Sequence, residues 1–141
     1  MRTVVALCVI AVAVGGCGGA ASQDSAKDFD GQERAVAKAI EGIETAARKD
    51  DADKVCKQLL SKSLLAALAK KGTNCKTGVK EGFDDADSVD LKVDDVTITG
   101  ATATAKVNSG GSGSDKKTDV LKLDREGTAW KISSLGPSAS R

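Results

Sequence analysis

Residues 89–107 decide the fold, and they read VDLKVDDVTITGATATAKV. Apolar side chains alternate with polar ones as far as Val93, and after two aspartates the apolar set moves by one position to Val96 and Ile98. Such alternation is typical of a half-buried strand, and a shift by one residue indicates a β-bulge or a bend. Gly100 then marks a turn, so the stretch predicts an antiparallel hairpin. The inward face of its second strand is expected to consist of Ala101, Ala103, Ala105 and Val107.

Two further strands are predicted after this hairpin. A polar Gly/Ser/Lys loop over residues 108–118 precedes the third strand, and a turn over residues 124–128 precedes the fourth. Their inward residues are expected to be Leu121, Leu123, Trp130 and Ile132. The glycine-rich loop does not fit a phosphate-binding loop, because that motif joins a strand to a helix whereas this loop joins two strands.

The chain before the hairpin predicts helices, beginning with a long amphipathic one. Asp30, with Glu33 three residues later, is typical of a capping box. The apolar stripe of this helix consists of Phe29, Val36, Ile40, Ile43 and Ala47. Its other faces carry Glu33, Arg34, Lys38, Glu41, Glu44 and Arg48. We expect the apolar stripe to lie against the sheet.

Shorter helices are predicted between the long helix and the sheet. Residues 50–53 interrupt and recap the chain, and a second segment places Val55, Cys56, Leu59 and Leu60 together. Ser61 or Ser63 can cap a third helix that ends at Gly72. Its leucines, Leu64, Leu65 and Leu68, are expected to belong to the core rather than to a partner-binding surface. Val79 and Phe83 suggest one more short helix, and helices followed by an antiparallel meander predict an α+β domain.

The first sixteen residues have the order of a secretory signal peptide. Arg2 is followed by an apolar run from Val4 to Val14 and then by two glycines. The apolar run is too short to cross a bilayer, for which a helix needs about 20 apolar residues. A Val-rich run is also a poor autonomous helix former, which argues against the alternative of a buried core helix. These residues therefore predict export.

The end of this segment, Val14-Gly15-Gly16-Cys17, resembles the bacterial lipobox. In a lipobox, small residues precede a cysteine that receives a diacylglyceryl thioether. The alternative is an ordinary signal peptide that is cleaved elsewhere. Two or three acyl chains, of which palmitate is an example, would anchor the protein firmly, since each buried methylene contributes about 0.8 kcal/mol. We expect a lipid anchor at Cys17 and a location on the extracytoplasmic face of the cell membrane.

The cysteine count predicts one disulfide. Cys8 leaves with the signal peptide and Cys17 takes lipid, so Cys56 and Cys75 are the two thiols left in an oxidising compartment. The alternatives are two free thiols or a metal site. Two cysteines cannot complete a tetrahedral zinc shell by themselves, and the chain has no histidine. We therefore expect a bond between Cys56 and Cys75.

Charge and composition argue against a nucleic-acid partner. Removing Arg2 from the 21 basic residues leaves 20, against 20 acidic ones, so the exported part is neutral. Binding to nucleic acid requires a basic face that neutralises phosphates. The exported part also has only three aromatic residues, Phe29, Phe83 and Trp130, which are too few for a base-stacking surface.

A family resemblance covers residues 30–135, nearly the whole exported part. It rests on Asp53, Cys56, Leu59, Leu60, Ser61 and Leu64, on the Val-x-Ile hairpin with its alternating alanines, and on the final Gly127-x-x-Trp130-Lys131-Ile132. These motifs are similar to those of small exported lipoproteins of actinobacterial type in the nuclear transport factor 2-like superfamily. The resemblance implies a cone, in which the helices close one side of a strongly curved antiparallel sheet around a central pocket.

Enzymes of that superfamily are isomerases, cyclases and dehydratases, and they use histidine, tyrosine and aspartate side chains inside the cone. This chain has no His and no Tyr. It therefore lacks a catalytic Ser-His-Asp arrangement and a general base already poised near neutral pH. A catalyst would need a buried carboxylate, and the candidates are Asp84, Asp85, Asp87, Asp90, Asp94 and Asp95. The alternative is that these acids are solvated on turns and on the outer strand face.

The aspartates do not have the spacing of a calcium-binding loop, since no bidentate glutamate follows at the required position. We therefore predict no catalytic residue, no cofactor and no metal site, and no enzyme activity. The expected function is that of a non-catalytic binding or accessory lipoprotein, whose ligand is a small apolar molecule or an envelope protein. The alternatives are an enzyme of the superfamily that uses a buried carboxylate, and a structural accessory or sensor domain of a membrane complex. The predicted domains are a lipoprotein signal peptide (1–16), a flexible tether (17–28), the α+β domain (29–135) and a C-terminal tail (136–141).

Overall fold

The computed structural model describes residues 24–84, 90–110 and 117–134. Predictions that lie outside the described residues concern the signal peptide (1–16), Cys17, Asp85, Asp87, the middle of the glycine-rich loop (111–116) and the tail (136–141). Within the described residues, helices come first and an antiparallel sheet follows. The predicted α+β class is confirmed.

Four strands form one antiparallel sheet in the order β1-β2-β3-β4. Their bounds are Leu91–Thr99 for β1, Thr102–Ser109 for β2, Lys117–Glu126 for β3 and Ala129–Ser134 for β4. The register of β1 against β2 shifts between Val93 and Asp95, which is the predicted bulge. Because of this bulge, Val93 and Val96 both face the core although they are three residues apart.

The strands extend further than their polar composition predicts. Asn108 pairs with Thr118, although both were expected in a loop, and β3 continues to Glu126 before a turn at residues 127–128. Polar residues suit these positions because only one face of the sheet is buried, so the outer face tolerates them. The Asn108 side chain also accepts a hydrogen bond from the Thr118 hydroxyl at 2.7 Å. Ala101 was expected inside, but it is exposed because it belongs to the turn before β2.

The helices precede the sheet, and they are introduced by one 3₁₀ turn at Ser25–Asp28. Their bounds are Gly31–Ala47 for α1, Ala52–Lys54 for α2, Lys62–Lys70 for α3 and Cys75–Asp84 for α4. α2 continues into a π-helical turn, Val55–Leu59. A single parallel bridge between Leu60 and Ile132 joins the end of this turn to the free edge of β4.

Side-chain capping is present at two of the predicted helix starts, and α1 begins directly after Asp30 as predicted but without the expected capping box. The Asp51 carboxylate accepts from the Lys54 N–H at 2.9 Å, and the Ser61 hydroxyl accepts from the Leu64 N–H at 3.2 Å. The capping box at Asp30 does not form, because its carboxylate pairs with Arg34 at 3.2 Å instead. α3 is closed as predicted by Gly72, which follows the C-cap Lys71 and whose φ of 72° is in the left-handed region that glycine adopts without strain.

The core lies between α1 and the inner face of the sheet. α1 packs across β1 and β4, and its residues Val36 and Ile40 are fully buried, whereas Phe29, Ile43 and Ala47 of the predicted stripe are half-buried. The largest fully buried apolar side chains are Ile40, Leu123, Ile132, Val36 and Val107. The sheet residues Ala103 and Ala105 are buried as predicted, so their small side chains allow close packing on this face.

The α3 leucines are less buried than predicted. Leu64, Leu65 and Leu68 pack against the core but remain half-buried. The reason is the position of α3, which packs beside β4 and α4 rather than over the centre of the sheet. The expectation that these leucines are core residues is therefore correct only for their inward sides.

The folded domain begins earlier than the predicted boundary at residue 29. Ser25 and Ala26 are buried, although residues 17–28 were expected to be a flexible tether. The Ser25 hydroxyl accepts from the Val93 N–H at 3.1 Å, and the Ala26 N–H donates to the Glu41 carboxylate at 2.7 Å. Residues 25–28 therefore belong to the domain, because they cover a backbone donor on the outer edge of β1.

Candidate functional site

The predicted disulfide is present in the structure. Cys56 and Cys75 are bonded, with their Cα atoms 6.1 Å apart. Cys56 lies in the buried π-helical turn, and Cys75 is the first residue of α4. None of the ten residues of α4, all within the described ranges, is fully buried. The disulfide is therefore the covalent link that fixes α4 to the rest of the domain.

A small ion-pair cluster lies beside the disulfide. The Asp53 carboxylate is 2.8 Å from Lys76 Nζ and 2.9 Å from Lys57 Nζ. Hydrogen bonds from Lys76 and then Lys57 lower the pKa of Asp53 below its usual value, and the Asp53 carboxylate raises the pKa of Lys57. All three side chains are about half exposed or more, so each pair contributes little to stability.

This cluster gives a pH-dependent prediction for Asp53. Because its pKa is depressed in the folded state, its contribution to stability is present above the ordinary value of 3.8 and is lost as the pH falls through the lower folded pKa. We expect an NMR titration of the Asp53 side chain to give a midpoint below 3.8 in the parent and a higher midpoint in Lys76→Gln. Lys70→Gln is the matched control, since Lys70 is exposed and the ion-pair partners of Asp53 are Lys57 and Lys76. Equal midpoints in the parent and Lys76→Gln would contradict this assignment.

Glu44 was expected on a polar face of α1, but its side chain is buried. Its exposed fraction is 1%, the lowest of any charged residue in the described ranges. Glu44 Oε1 lies 2.7 Å from Arg48 Nη2, and the same guanidinium nitrogen lies 2.6 Å from Asp90 Oδ1. No hydrogen-bond donor of the described residues reaches Glu44 Oε2. We call Glu44, Arg48 and Asp90 the carboxylate cluster.

The spacing of residues along α1 indicates that Glu44 is buried. Glu44 follows Val36 and Ile40 at intervals of four residues, so it continues the most buried line of the apolar stripe. Arg48 comes after another four residues, at the spacing that allows an ion pair on a helix. A glutamate on an apolar line that is followed at this spacing by arginine indicates a buried, paired acid.

The structure does not gather the candidate aspartates into one site. Asp84, Asp94 and Asp95 are exposed, and Asp94 pairs with Asn108 and with Lys92 on the outer face of the sheet. Asp90 is the described candidate that lies near a buried acid, since Arg48 joins it to Glu44. The carboxylate cluster is therefore the chemically most distinctive site in the described part of the chain.

The buried carboxylate gives a second prediction. Arg48→Met leaves Glu44 without its counter-charge, and we expect the free energy of unfolding in urea to fall by about 1–3 kcal/mol. This range is below that of a fully buried pair because Arg48 is itself a third exposed. The combination of Arg48→Met with Glu44→Gln should lose less than the sum of the two single changes.

Asp90→Asn is the matched control for this cycle. It removes the outer, half-exposed partner of Arg48, so the expected change is about 0–1 kcal/mol. Additive effects of Arg48→Met and Glu44→Gln would show that the two side chains are not coupled in the folded protein.

The space between α1 and the sheet is filled at its centre. Val36, Ile40, Ala105, Leu123 and Ile132 each have an exposed fraction of 0%. A side chain that borders a space large enough for water has some accessible surface, so none of these five does. A ligand pocket lined by these inward residues is therefore absent from the described part of the domain.

The described residues include neither a membrane-spanning helix nor a cluster of metal ligands. None of the described helices combines the length and the apolar character that crossing a bilayer requires. Within the described ranges, no three acidic, cysteine or histidine side chains come together as metal ligands would. Comparison with known proteins adds nothing to this geometry, since no family model, no curated protein and no solved structure matches the chain.

Proposed function

We propose that the protein is a membrane-anchored extracytoplasmic lipoprotein with a non-catalytic binding or accessory domain. The observation that carries the proposal is the sequence Val14-Gly15-Gly16-Cys17 at the end of a signal-like segment. Acyl chains on Cys17 would hold the protein at the cell membrane. The bond between Cys56 and Cys75 supports export, because disulfides persist mainly in oxidising compartments.

The test of the anchor is the intact mass of the chain purified from membranes in detergent. We expect the mass of residues 17–141 plus a diacylglyceryl group, with or without a third acyl chain on the amine of Cys17. Fragmentation should place the added mass on Cys17. A mass that corresponds to cleavage at another position, or to an unmodified Cys17, would contradict the anchor.

We infer that the domain binds through its surface rather than through a central pocket. The support is the filled centre, where Val36, Ala105 and Leu123 have no accessible surface. A filled centre favours an envelope component as the partner over a small apolar molecule. A purified domain that retains a stoichiometric small molecule after incubation with native lipid extract would reverse this preference.

We also propose that the fold is of the nuclear transport factor 2-like type. The support is the order of the elements, a long first helix and shorter helices followed by a four-stranded meander, together with α1 lying across the inner face of the sheet. The bulge between Val93 and Asp95 supports a curved sheet, because bulges increase local twist and bending. An experimental structure with a flat sheet, or without helices closing one side, would contradict this proposal.

An enzyme that uses a buried carboxylate is the second candidate function. The observation that favours it is Glu44, a buried carboxylate whose Oε2 has no hydrogen-bond donor among the described residues, since buried polar groups are normally paired. If the protein is such an enzyme, Glu44→Gln should fail to complement a deletion strain at an unchanged protein level, whereas Asp90→Asn should complement it. Full complementation by Glu44→Gln would remove this candidate.

A further inference from the structure

α4 makes only shallow contacts with the rest of the domain. None of its ten residues, all within the described ranges, is fully buried. Val79 and Phe83 pack against the core, but both remain partly exposed. A helix of ten residues is marginal by itself in water, and the glycines Gly78 and Gly82 lower its helix propensity further. The noncovalent attachment of α4 is therefore weak.

Two ion pairs add to these contacts, and both lie at the surface. Lys76 Nζ is 2.8 Å from the Asp53 carboxylate, and Lys80 Nζ is 3.4 Å from the Asp50 carboxylate. All four side chains are about half exposed or more, so solvent screens both pairs and each contributes little. The disulfide is therefore the strongest link between α4 and the domain.

The two cysteines of this link differ in exposure. Cys56 lies in the π-helical turn with an exposed fraction of 8%, whereas Cys75 begins α4 and is only partly buried. An attacking thiolate therefore reaches Cys75 more easily. Lys57 and Lys76 directly follow the two cysteines in the chain, and with Asp53 they form a cluster of two positive charges and one negative charge. Positive charge beside a cysteine favours the thiolate, which is the better leaving group.

We propose that the bond between Cys56 and Cys75 is a site of thiol–disulfide exchange with a protein dithiol, and that its reduction releases α4. A thiolate of the dithiol attacks Cys75 Sγ, the S–S bond breaks, and Cys56 leaves as a thiolate. The second thiolate of the dithiol then attacks the intermolecular disulfide and releases Cys75. Two electrons pass to the cysteine pair, which takes two protons from solvent, and the dithiol becomes a disulfide. A dithiol is the fitting reductant because its second thiol completes the exchange within one complex.

Reduction is coupled to the docking of α4. When α4 leaves the domain, the two thiols are no longer held opposite each other and are joined by a chain in which 19 positions separate them. Thiols joined by a mobile chain have an effective concentration on the order of millimolar, whereas thiols fixed in contact reach values far above about 1 M. A low effective concentration makes a disulfide easy to reduce. The weak attachment of α4 therefore makes this bond readily reversible.

The effective concentration can be measured at equilibrium with reduced and oxidised glutathione. The chain purified from membranes in detergent is equilibrated, its free thiols are trapped by alkylation, and peptide masses give the reduced fraction. We expect an effective concentration of about 1–100 mM. At early times the glutathione adduct should be on Cys75 and the alkyl group on Cys56.

Gly82→Ala tests the coupling between the bond and α4. A Cβ atom added at Gly82 meets nothing within 4 Å, so alanine fits there and favours the helix. Because α4 is docked only in the oxidised form, the substitution should raise the effective concentration by up to about fivefold. Lys38→Gly is the matched control, since it changes helix propensity at an exposed position of α1. It should lower the melting temperature and leave the effective concentration unchanged.

The outcomes separate release of α4 from a purely structural bond. An effective concentration above about 10 M, or no response to Gly82→Ala, would show that α4 stays docked after reduction and would overturn its release. First adducts on Cys56 would overturn attack at Cys75. The exchange does not depend on the lipid at Cys17, whose mass is read from a different peptide, so failure of the anchor and failure of the exchange are distinguished in the same sample.

Discussion

A Cys17→Ser variant is expected to leave the membrane fraction almost completely while it keeps the fold of the parent. Serine cannot form the thioether, so the variant loses all the acyl chains that the proposed function assigns to Cys17. One chain alone gives only marginal, reversible binding, and two are needed for a stable anchor. The fold should persist because Cys17 precedes the first described residue, Asp24, by seven positions. Fractionation with a high-salt wash measures the release, and the melting temperature measures the fold.

Cys8→Ala is the matched control for this change. Cys8 lies in the apolar run of the predicted signal peptide, and alanine keeps that run apolar, so the protein should stay anchored. The high-salt wash is required because salt screens weak charge contacts that could otherwise hold unanchored protein in the membrane fraction. A Cys17→Ser chain that resists the wash as well as the parent would show that the lipid anchor is assigned to the wrong residue.

The second large effect is expected from removing the disulfide. Cys56→Ser combined with Cys75→Ser should lower the free energy of unfolding by about 3 kcal/mol, since the two cysteines are 19 residues apart and the bond restricts the unfolded chain. In a domain of about 110 residues this loss lowers the melting temperature by about 10–15 °C. Thermal unfolding of the parent and the double variant measures the difference.

The stability lost with the disulfide should be lost first in α4. None of its described residues is fully buried, and its two glycines, Gly78 and Gly82, each disfavour the helix by about 1 kcal/mol relative to alanine. Hydrogen exchange should therefore show that α4 loses protection while the sheet retains it. Reduction of the parent by a dithiol should reproduce the effect, and the double variant should not respond to the dithiol. Identical melting temperatures for the two proteins would contradict a stabilising role for the bond.

The sheet was largely predictable because its signals are local. The bulge is visible as a one-residue shift from Val93 to Val96, and both residues are buried. The ends of the strands were predicted less well. Asn108 and Thr118 were assigned to a loop because they are polar, yet they pair on the outer face of the sheet. Composition cannot separate a loop from the solvent side of a strand when both are polar.

The candidate site was only partly predictable. The pairing of Cys56 with Cys75 followed from a count of the thiols, which needs no tertiary information. Glu44 was placed among the solvent-facing charges of α1, although its spacing from Ile40 indicated the buried side. Among several glutamates on an amphipathic helix, burial depends on where the sheet lies, and that position is a property of the whole fold.

The sequence by itself determined the alternation in the strands, the bulge, a cap within residues 50–53, a cap at Ser61 or Ser63, and the disulfide pair, because each depends on neighbours a few residues away or on a simple count. Only the tertiary structure decided three other features: the burial of Glu44, the contact of Ser25 with the edge of β1, and the half-exposed position of α3. The physical reason is common to all three. Burial and edge contacts are set by elements that are distant in the chain, and the amino-acid pattern of one segment does not state which distant surface will cover it.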